Sequence, residues 1–214
     1  MALEKHLSAI MLMGMVAVLM MYIAGTHPKW LLLGALGAAA FLLVYTRLMG
    51  YAGDRVTAWR HPELDPGDTG YQILQSLYAI GSGGLFGLGL GKSRQKYLYL
   101  PFQYNDYIFA IACEELGLVG AVGIMVLFAL LILRGFWIAR QAQTRFSTAL
   151  AAGLISLIAV QTVLNLCVVT NLLPSTGIAL PFFSYGGTAL AVNLGEMGIV
   201  LNISRKRTIQ EANT

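Results

Sequence analysis

The chain has 214 residues, of which 57% are hydrophobic and only 11% charged, with a formal charge of +4. Soluble domains carry roughly 25% charged residues, so the composition is that of an integral membrane protein. The basic excess is then no nucleic-acid signature, because Lys and Arg mainly set orientation in the membrane.

Five apolar segments read as helical spans. The first, Leu7–Gly25, is about 19 residues long, which suits a span rather than the ~7–15 of a signal-peptide core. The turn Thr26-His27-Pro28-Lys29 separates it from the second, Trp30–Thr46. A long polar break, Arg47–Asn105, precedes the third, Tyr107–Leu133. The fourth is Thr148–Thr170. The fifth is Leu180–Ile203, interrupted near its start by Ser184-Tyr185-Gly186-Gly187. Lys29, the trio Arg134, Arg140 and Arg145, and the tail residues Arg205, Lys206 and Arg207 fall on one side, which the positive-inside rule makes cytoplasmic. The expected fold class is therefore an all-α polytopic membrane bundle. It forms a single membrane domain over 1–214, with an outer loop over 47–105 and a cytoplasmic tail over 204–214.

Within the outer loop, Gly70–Ile80 is amphipathic and suits the membrane interface. The glycine-rich run Gly81–Gly91 lacks the preceding strand of a nucleotide cradle and reads as a flexible or re-entrant loop. The cations Lys92, Arg94 and Lys96, with Gln95 among them, suit a pyrophosphate or an anionic lipid headgroup, or simply a solvated surface.

Three carboxylates follow. Asp106 stands just ahead of the third span, as a helix cap or as a base whose pKa burial would raise. Glu114 and Glu115 lie about 12 Å further along, at what reads as membrane depth, as hydrogen-bonding struts or cavity-facing groups. Glu114 shares a face with Gly117 and Ala121, and Gly117, Gly120 and Gly123 form a small-residue stripe suited to helix packing. The last outer link, Leu172–Leu190, has irregular backbone that must line a cavity or be buried in protein. Asn193 and Glu196 add buried polarity to the fifth span. Cys113 and Cys167 read as buried thiols, and His6, His27 and His61 are too scattered for a structural metal site.

Residues Asn165–Ala189, N-x5-N-L-L-P-S-T-G-I-A-L-P-F-F-S-Y-G-G-T-A, resemble the signature of the SEDS family, the FtsW/RodA/SpoVE proteins. Asn171 stands where glycine is usual, and Ser175 where Thr or an aliphatic residue is usual. The run GSGGLFGLGLGKSRQKYLYLP is more similar to FtsW and SpoVE than to RodA. LEKHLSAI resembles a family segment with Lys5 in place of proline. LPFQYNDYIF resembles the family's LPE-x-x-x-D motif, with Phe102 in place of glutamate and Asp106 retained, and Glu114-Glu115-Leu116-Gly117 matches the EELG run that follows.

The resemblance implies the second half of a ten-span bundle in the bacterial plasma membrane. It implies a peptidoglycan glycosyltransferase that polymerises lipid II, the undecaprenyl-pyrophosphate disaccharide-pentapeptide, during cell division or spore cortex synthesis. A class B penicillin-binding protein would be its partner. Asp106 would be the catalytic base. Lys92, Arg94, Gln95, Lys96, Glu114, Ser184, Tyr185, Gly186 and Gly187 would serve the substrate. The cations, or a divalent cation such as Mg or Mn, would stabilise the departing pyrophosphate. The alternatives are a lipid II flippase, which would spread charges through the bundle, and a non-catalytic scaffold, which would tolerate loss of Asp106.

Overall fold

The computed structural model describes residues 7–34, 36–37, 40, 57–64, 69–94 and 105–211. Among these the chain is helical with connecting turns. The helices are α1 (Leu7–Ile23), α2 (Thr69–Ser82), α3 (Ile108–Arg140), α4 (Arg145–Val169) and α5 (Gly187–Glu211), with a 3-10 turn at Pro62–Leu64. By length and composition α3 and α4 are able to cross a membrane, and α1 is a shorter apolar helix.

Helices α3 and α4 form the centre. They are joined by the short link 141–144, where Thr144 caps α4 by accepting from the Ser147 amide at 3.1 Å. Gly135 lets α3 approach α4 closely, since a Cβ there would lie 2.3 Å from Ile155 Cδ1. On the far side of α4, Gly153 receives Met20 of α1. Pro28 opens a helical stretch over 28–34 rather than only breaking a chain, as its fixed φ suits a helix's first turn. Residues 41–46 of the expected second span lie outside the described residues.

α4 ends in a Schellman motif. The Leu172 amide reaches back to Cys167 O at 2.7 Å and the Asn171 amide to Val168 O at 3.0 Å. The motif needs a left-handed residue, and Asn171 has φ 58°. Asparagine is among the few side chains that tolerate this, which accounts for its place where glycine is usual. Asn171→Gly is therefore expected to hold stability level or raise it by up to about 1 kcal/mol, and Asn171→Ala to lower it by about 1 kcal/mol, read by thermal unfolding in detergent.

α2 contains the amphipathic segment expected at the membrane interface, and its inner face is met by protein. It packs on α3 and α4, burying Ile73, Ser76 and Ala79, and the Ser76 hydroxyl donates to Val169 O at 2.9 Å. Trp59 Nε1 donates to Asn171 O at 2.9 Å, so a second outer segment is also tied to the end of α4. The fifth span begins later than expected: 180–186 is irregular and α5 starts at Gly187.

The largest departure is inside α3. Gly117 has φ 67° and ψ −168°, and there the helix breaks. An unbroken helix would bond the amides of 118 and 119 to the carbonyls of 114 and 115. Here the glycine loop takes both halves of those pairs. Leu88 and Gly89 donate to Glu114 O and Glu115 O at 2.9 and 3.0 Å, while Leu118 and Val119 donate to Gly84 O and Leu85 O at 2.9 and 3.1 Å. The glycine run is thus a docked part of the fold that meets the broken helix's hydrogen-bond needs.

The break also relocates the two glutamates. Residues 108–114 are almost entirely buried in protein, and exposed apolar side chains begin at Leu118 and continue through Val122, Leu127 and Leu130. At about 1.5 Å per residue, 118–140 is roughly 34 Å long, enough to cross a ~30 Å hydrocarbon core unaided. Glu114 and Glu115 lie on the buried side of the break, ahead of that segment. Of the glycine stripe, Gly117 meets the loop, and nothing among the described residues lies within 4 Å of a Cβ at Gly123.

Candidate functional site

Asp106 sits in the turn that leads into α3, with Tyr107 and Phe109 buried beneath it. Its position is set through the backbone. Asn165, a buried side chain of α4, donates from Nδ2 to Asp106 O at 2.7 Å and to Ile178 O at 2.8 Å. Ser184 donates to Asn105 O and accepts from the Leu180 amide at 2.8 Å. One side of the turn is thus pinned to α4, and the other to the 177–184 loop. Gly177, at φ 67°, lies beside the carboxyl; a Cβ there would sit 3.5 Å from Asp106 Oδ2, an ordinary contact, so it is the left-handed backbone that favours glycine. The carboxyl is half-buried, and this desolvation raises its pKa above the usual carboxylate value.

Eight residues on, roughly 12 Å along the helix axis, Glu114 is 1% exposed. Its Oε2 accepts from the Ser93 hydroxyl and its Oε1 from the Arg94 amide at 3.0 Å. In this structure the Glu114 carboxylate is enclosed and met by protein donors. Ser93 is buried, while Lys92 and Arg94 on either side are exposed. Gln95, Lys96 and Phe102 lie outside the described residues.

The remaining candidates are less central. Ser184 spends its hydroxyl on the Asp106 turn. Tyr185 is 83% exposed, Gly186 accepts the first bond of α5 from the Leu190 amide at 2.9 Å, and Gly187 is the first residue of α5. The structure therefore joins Ser184 to the Asp106 turn, and Glu114 to the basic stretch, and puts Tyr185 at the surface. Two contributors had no role assigned from sequence: Asn165 and Ser93. Asn165 carried a signal, being an amide in an otherwise apolar run, but its target lies 59 residues away.

A second polar region lies between α4 and α5. A cavity of about 230 Å³ is lined by Gln161, Ser184, Thr188, Asn193 and Glu196 among apolar neighbours. Asn193 and Glu196 are both 8% exposed.

A family model for cell cycle proteins, FtsW/RodA/SpoVE, matches residues 1–209. The chain is 44% identical to a probable peptidoglycan glycosyltransferase FtsW of Geobacter sulfurreducens, over 95% of this chain and 55% of that protein. It is 46% identical to stage V sporulation protein E of Bacillus subtilis, over 88% of this chain and 51% of that one. It thus spans about half the length of the curated relatives it matches. Among solved structures it resembles a chain of a peptidoglycan synthase complex that coordinates polymerization and crosslinking, with TM-score 0.79, 28% identity, and 96% and 57% of the two chains covered. It also resembles a variant of the rod shape determining protein RodA of Thermus thermophilus, with TM-score 0.60, 26% identity, and 95% and 51% covered. With a family match over nearly its whole length and the helical bundle to go with it, the chain belongs to the FtsW/RodA/SpoVE family of cell cycle proteins.

Proposed function

We propose that this chain is the Asp106-bearing part of a peptidoglycan glycosyltransferase, a multi-pass protein of the bacterial plasma membrane. It polymerises lipid II with a class B penicillin-binding protein, in division or in spore cortex synthesis. The observation that carries this reading is the Asp106 carboxyl, half-buried on a turn pinned from two sides. A positioned carboxylate with a raised pKa is suited to general-base work.

In the proposed step the Asp106 carboxylate takes the proton of the acceptor sugar hydroxyl. The oxygen bonds to the donor's anomeric carbon with inversion, and the bond from that carbon to the pyrophosphate oxygen breaks. Lys92 and Arg94 meet the charge developing on the leaving pyrophosphate. Among the described residues no three His, Cys, Asp or Glu side chains come together. Asp106 is the half-buried carboxylate of this site that could contribute to holding a Mg or Mn ion. When bound, such an ion would supply charge neutralisation on the leaving group.

The test is glycan synthesis from lipid II in liposomes, with a class B partner from the same organism. It compares this chain alone, the longest in-frame product of its gene, and that product carrying Asp106→Ala. Glycan strands that disappear with Asp106→Ala support the enzyme. Equal synthesis by parent and variant would leave Asp106 without a catalytic role; it does not cap α3, whose N-cap is Tyr107 with no side-chain capping bond. One observation favours a second reading, lipid II transport: the polar cavity between α4 and α5 brings Glu196, Asn193 and Gln161 inside the bundle. Translocation of labelled lipid II that is lost in Glu196→Gln, with polymerisation intact, would support it.

A further inference from the structure

We infer that Glu114 is a positioning residue: from its buried site on α3, the helix that follows the Asp106 turn, it sets Lys92 and Arg94 as a preorganised arm for a pyrophosphate group. The inference rests on the glycosyltransferase reading for the identity of the anion.

The segment 88–94 is fastened at both ends to one turn of α3. At its start, the Leu88 and Gly89 amides bond the carbonyls of Glu114 and Glu115 at 2.9 and 3.0 Å. At its end, the Glu114 carboxylate accepts from the Ser93 hydroxyl and the Arg94 amide. Between these, the Lys92 amide closes a turn on Gly89 O at 3.1 Å. Ser93 is 2% exposed and acts as an inward peg, with the two flanking cations in solvent.

An enclosed carboxylate is costly unless donors meet it, and charge-assisted bonds are the strong ones. Glu114 therefore holds this short loop more firmly than a neutral side chain could. Two long cationic side chains on a fixed backbone lose less freedom on meeting an anion than the same side chains on a mobile loop. The turn that opens this helix carries Asp106, about 12 Å away, so base and arm are set on one support. The ligand class is a phosphoryl anion at the outer membrane face. A pyrophosphate on the lipid substrate is the assignment, and an anionic headgroup shares its chemistry.

The experiment uses the longest in-frame product with its class B partner, as parent, Ser93→Ala, Glu114→Gln and the double variant. KM for lipid II is expected to rise about 5–10-fold in each single variant with kcat within about two-fold, and the double variant is expected to be no worse than the poorer single one. Inhibition by inorganic pyrophosphate should weaken in parallel. Trypsin cleavage after Lys92 and Arg94 in detergent should quicken about ten-fold while the melting temperature holds, a readout that needs no enzyme activity. If the parent makes no glycan but the trypsin result holds, the loop anchor stands and the glycosyltransferase reading is what fails. Unchanged cleavage, a fall in kcat at constant KM, or additive effects would overturn the positioning role. A KM rise confined to phosphatidylglycerol vesicles and absent from neutral ones would assign the arm to headgroups and overturn the pyrophosphate assignment.

Discussion

Asp106→Asn is expected to cut lipid II polymerisation by about 10²–10⁴-fold, the usual contribution of a positioned general base, while leaving the protein at least as stable as its parent. The two halves of this result have separate causes. The activity depends on the carboxylate. The placement of the turn depends on backbone carbonyls, Asp106 O to Asn165 and Asn105 O to Ser184, which asparagine retains. The sign of the stability change follows from linkage. Burial raises the folded-state pKa of Asp106 above its unfolded value. A carboxyl shifted this way binds its proton more tightly in the folded state. Its favourable contribution is full below the unfolded pKa and is lost as pH rises through the folded one. At neutral pH the ionised group is therefore a burden that the neutral amide removes. Thermal unfolding at pH 7, measured beside the rate, checks both halves. A variant that is inactive because it is unfolded would sink the argument.

The same shift fixes a pH profile. The base works only when ionised, so kcat/KM should climb as pH rises through the Asp106 pKa. Burial moves that limb above the ordinary carboxylate range, to the alkaline side of ~4. A limb at or below the ordinary value would mean that the carboxyl is solvated in the working enzyme.

Hydropathy alone located α3 and α4, because long apolar runs have few other solutions. It could not locate the break at Gly117. A glycine among Gly120 and Gly123 reads as a packing stripe, and only the loop over 83–89 makes a break there tolerable. α2 was legible as amphipathic, but its partner was not, since the Ser76 bond to Val169 spans 93 positions. Asp106 stood out because a carboxylate at the head of an apolar run needs a reason. Its clamp stayed hidden for the same cause as the others: Asn165 and Ser184 lie 59 and 79 positions from the atoms they hold. Glu114 is conspicuous in the sequence as a carboxylate in an apolar run, but its partners Ser93 and Arg94 lie 21 and 20 positions away, beyond the reach of local pattern.

The broken helix and its docked loop carry a second large prediction. Gly87→Ala and Gly117→Ala are each expected to destabilise by about 3 kcal/mol or more, with Gly123→Ala as a neutral or mildly stabilising control. At Gly87, φ is 77° and a Cβ would stand 2.2 Å from Glu115 O. At Gly117, φ is 67° and a Cβ would stand 2.3 Å from Gly87 N and 2.6 Å from Leu85 O. Each clash is with backbone, so no side chain can swing aside. Around a Cβ at Gly123 nothing among the described residues lies within 4 Å. Pushing the loop out breaks the four amide-to-carbonyl bonds that join it to the helix break. The double variant Gly87→Ala/Gly117→Ala should cost less than the sum of its parts, since one displacement of the loop relieves both clashes. Polymerisation should fall in both single variants although neither touches a reacting atom, because 106–116 carries Asp106 at one end, in the turn before α3, and the Glu114 anchor near the other. Thermal unfolding in detergent and lipid II turnover, measured on the same preparations, check this. If Gly117→Ala were as stable as the parent, the loop would not be holding the break, and the support proposed for the basic arm would go with it.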